Sequence, residues 1–335
     1  MKYLYVLASD ASDVYLEQTI LSITSLRIHN NNPYISLLVD EKTNENLTGS
    51  RGKIGSLVSE LVAVNIDKSI GKTARSRWLK TSMRQHIKED FLYIDSDTII
   101  SGDLSPVFDS DMDLGGVLDD HVYLSEYAKY RPRRLKMVKK MFRIRSFNFD
   151  FKIYFNGGVF FSRDNQAAYD FFDAWHNNWL HCFGLNLLTD QASLNKTNFD
   201  LGNPIKELDG IWNCQLMHDG ALKYIHDAKI LHYFTTHIQD KFFLLANKEH
   251  FQSIKDNGEI AEETIDMLKN PKAQFATHTR IMLIDPSLND YYDSAICGAA
   301  KRIFHTRFGS ILEFFLAIIK KNIFTPLRKR IFLGK

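Results

Sequence analysis

Phe91-Leu92-Tyr93-Ile94-Asp95-Ser96-Asp97 constrains this chain more than any other stretch: an apolar run of strand length ends in two carboxylates, two positions apart. A short apolar run without polar alternation suits a strand covered on both faces, the kind found in parallel sheets. The residues before it carry the matching pattern. Tyr3–Ala8, Ile35–Val39 and Leu61–Ile66 are further strand-length runs. Between the first two, Leu16, Ile20, Ile23 and Leu26 recur on one helical face, with Asp13 as the expected N-cap and Asn30-Asn31-Asn32-Pro33 as the stop. Thr73–Ile87 reads as a helix, Gly116–Leu118 and Ile153–Phe161 as strands, and Gln166–Leu180 as another helix. Strands separated by helices predict an α/β domain with a mostly parallel sheet. With no repeat and no Pro- or Ser-rich linker, we expect one domain over residues 1–240 and a helical extension over 241–335.

Composition narrows the class. The chain has 335 residues, is 44% apolar and 24% charged, and carries 24 Phe, 14 Tyr and 4 Trp, which excludes intrinsic disorder. Its 3 cysteines, Cys182, Cys214 and Cys297, form no CxxC pair, so neither a disulfide framework nor a zinc site is expected and a reducing, cytoplasmic setting is. Met1–Ala8 is too short for a signal-peptide core, and Ile311–Ile319, interrupted by Glu313, falls short of the ~20 residues that span a bilayer. The net charge of +2 hides an asymmetry: residues 301–335 hold nine Lys/Arg against Glu313 alone, leaving the first 300 residues at −6. Nucleic acid is not an expected partner, whereas a basic, apolar end on an acidic body points to an anionic surface.

Ligands of open α/β sheets bind beyond the carboxyl ends of the strands. Ser9-Asp10 follows the first strand and Asp95-Ser96-Asp97 the fourth. Paired carboxylates suit Mn²⁺ or Mg²⁺ shared with a substrate phosphate; a turn with solvated aspartates is the competing explanation. An EF-hand fails because Ile99 and Ile100 stand where further oxygen ligands and a glycine belong. A haloacid-dehalogenase phosphatase, with Asp95 as nucleophile, expects Thr or Val where Ile99 stands. In a sugar-nucleotide transferase both carboxylates hold a metal that neutralises a diphosphate leaving group.

Three later stretches bear on that choice. Phe155-Asn156-Gly157-Gly158-Val159 sets an amide and two glycines in a strand, either for close approach of a ligand or as a β-bulge. Thr189-Asp190-Gln191 opens a helix; Asp190 and Gln191 could bind a polyhydroxylated substrate, or Asp190 could be the N-cap. His232, in Ile230-Leu231-His232-Tyr233-Phe234, is a metal ligand or a core histidine.

In this order, DxD, FNGGV, DQ and HY resemble glycosyltransferase family 8, the retaining sugar transferases that include bacterial lipopolysaccharide galactosyl- and glucosyltransferases. The resemblance covers roughly residues 3–235 and implies a GT-A fold, a Rossmann-like, mostly parallel sheet flanked by helices. It implies Asp95, Asp97 and His232 as ligands of Mn²⁺ or Mg²⁺, and Asn156, Gly157, Asp190 and Gln191 at the donor sugar. Arg75-Ser76-Arg77-Trp78-Leu79-Lys80 is similar to the family's arginine-bearing helix, so Arg77 would reach the nucleotide or diphosphate. Ala8, Ser9 and Asp10 would form the base loop, with Ser96 beside the nucleotide. Gln191 is the residue expected beneath the anomeric carbon; it is a poor nucleophile, so same-face attack is favoured over double displacement on Asp190. The chain lacks the family's Gly…Lys-Pro-Trp segment after HY, which leaves the lysine contact to the diphosphate open, with Lys241 as a candidate for it. The implied donor is a UDP-hexose, UDP-glucose or UDP-galactose, and the implied acceptor a cell-surface glycan or lipid-linked saccharide.

Two basic regions remain. Residues 129–145 hold nine Lys/Arg and no acid, which suits an anionic acceptor such as a phosphorylated lipid-linked sugar, nucleic acid, or a solvated helix face. In the tail, Phe304, Phe308, Ile311, Phe315, Ile319, Ile323, Leu327 and Ile331 recur three or four apart between basic residues. That is the pattern of an interfacial helix on anionic lipid, and it predicts peripheral attachment at the cytoplasmic face of a membrane. A non-catalytic, membrane-associated scaffold is the alternative outside the enzymes.

Overall fold

Strand β1 (Lys2–Leu7) is buried throughout, and its side chains alternate between two cores: Tyr3, Tyr5 and Leu7 join one, Leu4 and Val6 the other. It belongs to a computed structural model that describes residues 1–124, 153–234 and 243–275, with positions 299, 303, 306, 308, 309, 311, 312, 314 and 315. After it come α1 (Tyr15–His29), β2 (Ile35–Asp40), α2 (Glu41–Glu45), β3 (Glu60–Val64), α3 (Lys72–His86), β4 (Phe91–Ile94) and β5 (Thr98–Ile100). Then follow β6 (Leu114–Leu118), β7 (Phe155–Ser162), α4 (Gln166–Gly184), α5 (Asp190–Asp200), β8 (Lys206–Glu207), β9 (Cys214–Gln215), β10 (Ile230–His232), α6 (Lys248–Asn257) and α7 (Glu262–Lys269).

Seven strands form one sheet in the order β3-β2-β1-β4-β7-β6-β8. The first four are parallel; β7 runs antiparallel to β4 and β6. The chain leaves β1 toward β2 on one side and returns to β4 on the other, so the order reverses between β1 and β4. That switch opens a crevice at their carboxyl ends, beside Ala8 and Asp95. A second sheet, β5-β10-β9, stands next to it. Its strands are two or three residues long, too short to leave a periodic signal in the sequence.

Helix α1 covers one face with Leu16, Ile20, Ile23 and Leu26, and α3 and α4 cover the other with Leu79, Met83, Phe171, Phe172 and Trp175. Phe251, Ile254 and Leu268 of α6 and α7 enter the same core as α1, and His29 Nε2 lies 2.9 Å from the Leu268 carbonyl. The first compact unit, Met1–Ile281, therefore runs past the expected limit at residue 240. In the second unit, Met282–Lys335, Phe308, Ile311, Leu312, Phe314 and Phe315 are helical and 42–64% exposed. No helix among the described residues is long and apolar enough to cross a membrane.

Two expected caps are displaced. Val14, not Asp13, is the N-cap of α1. Asp13 ties the preceding loop to the helix start, accepting from Ser9 Oγ at 2.7 Å, Asp10 N at 3.0 Å, Lys72 Nζ at 2.6 Å and Tyr15 N at 3.0 Å. Thr189, not Asp190, caps α5; Asp190 is its first helical residue and turns its carboxylate to two cations. The third strand stops at Val64 rather than Ile66. In β7 the bulge explanation of the glycines holds: Gly116 pairs with Phe160 and Leu118 with Phe155, so the register shifts across Asn156–Val159. Gly158 also lies against another side chain, described below. Residues 129–145, Lys241 and much of the tail lie outside the described residues.

Candidate active site

The crevice between β1 and β4 is a cavity of about 300 Å³. Its walls include Ala8, Arg77, Lys80, Tyr93, Asp95, Ser96, Asp97, Asn156, Gly157, Asp190, Gln191 and His232, so ten of the twelve residues expected from the sequence lie together. Ser9 and Asp10 do not line it. Ser9 N donates to Thr43 Oγ1 at 3.0 Å and its hydroxyl faces Asp13 and Arg51, while Asp10 is held at the loop by Ser12 and Lys72. The Ser12 and Lys72 hydrogen bonds hold the Asp10 carboxyl far below its ordinary range.

Backbone pairing explains how distant residues meet. Asp95 N donates to the Gly158 carbonyl at 2.8 Å, which docks the end of β4 on the glycine strand. His232 pairs with Thr98 in the antiparallel β5–β10 ladder, and Tyr233 N donates to the Asp97 carbonyl at 3.1 Å. His232 is thus delivered beside Asp97, with Nε2 3.2 Å from Asp97 Oδ1. One ligand atom from each of Asp95, Asp97 and His232 lies within 4.8 Å of the others.

The protonation of His232 follows from its neighbours. Gly158 N donates to Asn156 Oδ1 at 2.8 Å, which fixes the orientation of the Asn156 amide. Asn213 Nδ2 donates to that same oxygen at 3.0 Å, so Asn213 presents its oxygen to His232 Nδ1 at 2.9 Å. Nδ1 carries a proton, so Nε2 is the ring nitrogen left to face Asp97. An imidazole nitrogen and a carboxylate oxygen at this distance could share a cation, and a hydrogen-bonded Nδ1–H is the usual outer support of a metal-bound imidazole. The donor set, two carboxylates and one neutral imidazole, fits Mn²⁺ or Mg²⁺ sharing a phosphate.

Beside this group, Asp190 is 6% exposed and doubly ion-paired: Oδ1 is 3.0 Å from Arg77 Nε, and Oδ2 is 3.1 Å from Lys80 Nζ. Burial would raise its pKa, but Arg77 and Lys80 outweigh it and hold the carboxyl at about 2. The charge of Asp190 raises Arg77 in turn. Arg77 lines the cavity with one guanidinium edge on Asp190. Gln191 Oε1 accepts from Gly157 N at 3.3 Å and faces Asn156 Nδ2 at 3.5 Å, which leaves its NH₂ group as the other end of the amide. Helix α3 is anchored so that these cations point inward: Arg75, buried, donates to Asp40 Oδ1 at 2.9 Å and to the Ile70 carbonyl at 2.7 Å.

Sequence reasoning missed Lys80, Tyr93, Asn213 and Asp119 as parts of the site. Lys80 follows Arg77 by one helical turn and shares its face, a signal that was legible. Tyr93 Oη donates to Asp95 Oδ1, and Asp119 Oδ1 accepts from Asn156 Nδ2 at 2.9 Å. Asp119, Asp120 and His218 form a second group whose ligand atoms lie within 4.8 Å of one another.

The profile described as glycosyl transferase family 8 matches residues 6–237, more than half of the chain. The chain belongs to that family. Its fold is the GT-A fold of such transferases. The apo structure of the bifunctional glycosyltransferase WbbM is 13% identical, with a TM-score of 0.50, over 81% of this chain and 51% of that one. This chain therefore spans about half the length of that relative. The galactosyltransferase LgtC, solved with donor and acceptor sugar analogues, is 15% identical over 78% of this chain and 98% of its own, with a TM-score of 0.49. GlyE, a glycosyltransferase of Streptococcus pneumoniae TIGR4, is 17% identical over 83% of this chain and 65% of its own, with a TM-score of 0.44. No curated protein matches the sequence. Membership in family 8 sets aside the phosphatase reading of the DxD pair. Consistent with that, the Asp95 carboxylate is engaged by Lys80 and Tyr93 rather than left open as a nucleophile.

Proposed function

We propose that this family 8 protein transfers a hexose from a UDP-sugar, UDP-glucose or UDP-galactose, to a saccharide acceptor, with retention of anomeric configuration. The observation that carries the reading is the convergence of Asp95, Asp97 and His232 at the switch between β1 and β4, beside Asn156, Asp190 and Gln191. A divalent ion held by the first three, Mn²⁺ or Mg²⁺, would supply Lewis-acid stabilisation of the diphosphate as it departs.

The chain's own residues bind and orient. Ala8 and Ser96 flank the nucleotide end of the crevice, and Arg77 adds positive charge where the leaving group accumulates negative charge. Asn156, Gly157 and Gln191 face the sugar; Gln191 offers hydrogen-bond donors, since its oxygen is already engaged by Gly157 and Asn156. Asp190 is a weak nucleophile here, because both oxygens are ion-paired and its carboxyl is held at about 2. These two facts favour attack of the acceptor hydroxyl on the face the phosphate leaves, with the phosphate taking the hydroxyl proton.

The test is a thermal shift of the purified protein with UDP in Mn²⁺ or in EDTA, beside Asp97→Ala. Ligand at ~100 times its dissociation constant adds about 2.7 kcal/mol, a few degrees in midpoint. A shift that needs both UDP and Mn²⁺ and disappears in Asp97→Ala supports the reading. A shift with GDP or TDP alone changes the donor, and no nucleotide response overturns the proposal.

The acceptor we propose is a cell-surface glycan or lipid-linked saccharide, reached from the cytoplasmic face of a membrane. The exposed apolar residues at 308–315 favour contact with a bilayer surface, and the basic content of 129–145 favours an anionic acceptor.

A further inference from the structure

Lys80 is an ammonium buried among acids. It is 3% exposed, with Nζ 3.2 and 3.3 Å from the two Asp95 carboxylate oxygens and 3.1 Å from Asp190 Oδ2. The same nitrogen lies 5.0 Å from the centre of the Tyr93 ring. Asp190 already has Arg77 on its other oxygen, 3.0 Å away. Lys80 is therefore not needed to balance Asp190 alone. What it adds is a positive charge on Asp95, one of the three residues that would hold the divalent ion.

The local charge decides what can enter. Asp95, Asp97 and Asp190 face Arg77 and Lys80, so the five groups together carry one net negative charge. A divalent ion arriving alone meets an ammonium already seated on Asp95, and like charges repel strongly in a half-buried site. A diphosphate brings the negative charge that lets ion and ammonium coexist. We propose that Lys80 is a built-in counter-ion that stands in for the metal at Asp95 and makes metal binding conditional on a nucleoside diphosphate. The proposal rests on the metal-dependent nucleotide reading above and adds to it that ion and diphosphate bind as a strongly coupled pair. By linkage, each must strengthen the other by the same factor.

Calorimetry of the full chain tests this, titrating Mn²⁺ alone, with UDP, and with uridine, which lacks the diphosphate. In the wild type we expect UDP to tighten Mn²⁺ by about tenfold or more and uridine to leave it unchanged. Lys80→Met, checked for folding by circular dichroism, should bind Mn²⁺ alone about tenfold more tightly than the wild type and lose most of the coupling. Lys80→Arg keeps the charge and should keep the coupling. Folded Lys80→Met that binds Mn²⁺ no more tightly overturns the proposal. That result leaves the nucleotide reading intact, whereas wild-type protein that binds Mn²⁺ and UDP independently overturns both. If Lys80→Met does not fold, Lys80→Gln, which also removes the charge, is titrated in its place with the same expected outcomes. Failure of the underlying reading looks different: wild-type protein binds neither UDP nor Mn²⁺, and both proposals fall.

Discussion

The His232 imidazole lies against Gly158 so closely that a Cβ there would come within 2.3 Å of Cε1 and 2.7 Å of Nδ1. The ring also stacks on Phe234, with ring centres 3.9 Å apart and planes 15° from parallel. The histidine is held between a strand with no side chain and an aromatic ring, so its direction toward Asp97 is set by packing as well as by Asn213.

Gly158→Ala should therefore act through His232. The added methyl has nowhere to go without moving the ring, and overpacking of this kind costs about 1–3 kcal/mol. We expect a lower melting temperature and at least about tenfold weaker Mn²⁺-dependent UDP binding, read by calorimetry. Gly157→Ala is the contrast. A Cβ at Gly157 would sit 3.6 Å from Asp190 Oδ2 and Lys80 Nζ, ordinary contact distance, and Gly157 lines the cavity. That variant should melt like the wild type and lose donor affinity. Equal melting and equal Mn²⁺ affinity for Gly158→Ala would refute the packing argument.

Asn213→Leu removes the acceptor that keeps the proton on His232 Nδ1, with little change in volume. Outer-shell partners of this kind are worth about 10- to 100-fold in metal affinity. The expected result is Mn²⁺ binding weaker by that order with nucleotide-independent folding retained, measured by titration in the presence of saturating UDP. Unchanged affinity would mean that the ring is aimed by Gly158 and Phe234 alone.

Acid stability gives a test of the Asp190 ion pairs. The folded carboxyl, at about 2, lies below its ordinary value of 3.8 because Arg77 and Lys80 outweigh burial. A depressed acid contributes stability that is fully present above the unfolded value and lost as the pH falls through the folded one. The window is about pH 4 to 2, and the contribution about 2 kcal/mol. Urea unfolding across that window should show the wild type losing more stability than Asp190→Asn. Parallel losses in the two proteins would show that Asp190 is not the group responsible.

How much of this was legible varies with the range of the interaction. The DxD pair stands at the end of a strand that its own apolar run predicts, and Asp95 and Asp97 needed nothing else. Lys80 was within reach, one turn after Arg77 on the same helical face. His232 was recognisable only through the order of four motifs, because the β5–β10 ladder that carries it is three residue pairs long. Asn213 had no signal: it lies in a short 3₁₀ turn, Gly210–Asn213, and matters only because Asn156 and His232 fold against it. The displaced caps have a similar cause. Asp13 and Asp190 suit N-cap positions by residue type, but their carboxylates are also drawn to a full charge, Lys72 in one case and Arg77 with Lys80 in the other.

The tail makes the last prediction. Phe308, Ile311, Leu312, Phe314 and Phe315 are 42–64% exposed, and the segment 301–335 carries nine basic residues against one acid. Apolar side chains at an interface contribute about 0.8 kcal/mol for each buried CH₂, and each nearby Lys or Arg adds about 1 kcal/mol on anionic lipid. Either alone holds weakly, so attachment should need both. The full chain should sediment with vesicles containing phosphatidylglycerol and remain free with phosphatidylcholine alone, with binding that falls as salt rises. Phe314→Glu with Phe315→Glu should weaken vesicle binding by at least about tenfold, since two aromatic anchors are lost and two negative charges gained. Because the change lies outside the crevice, UDP and Mn²⁺ binding should stay at wild-type strength. Sedimentation independent of lipid charge, or unaffected by the double substitution, would assign those aromatic residues to some other contact.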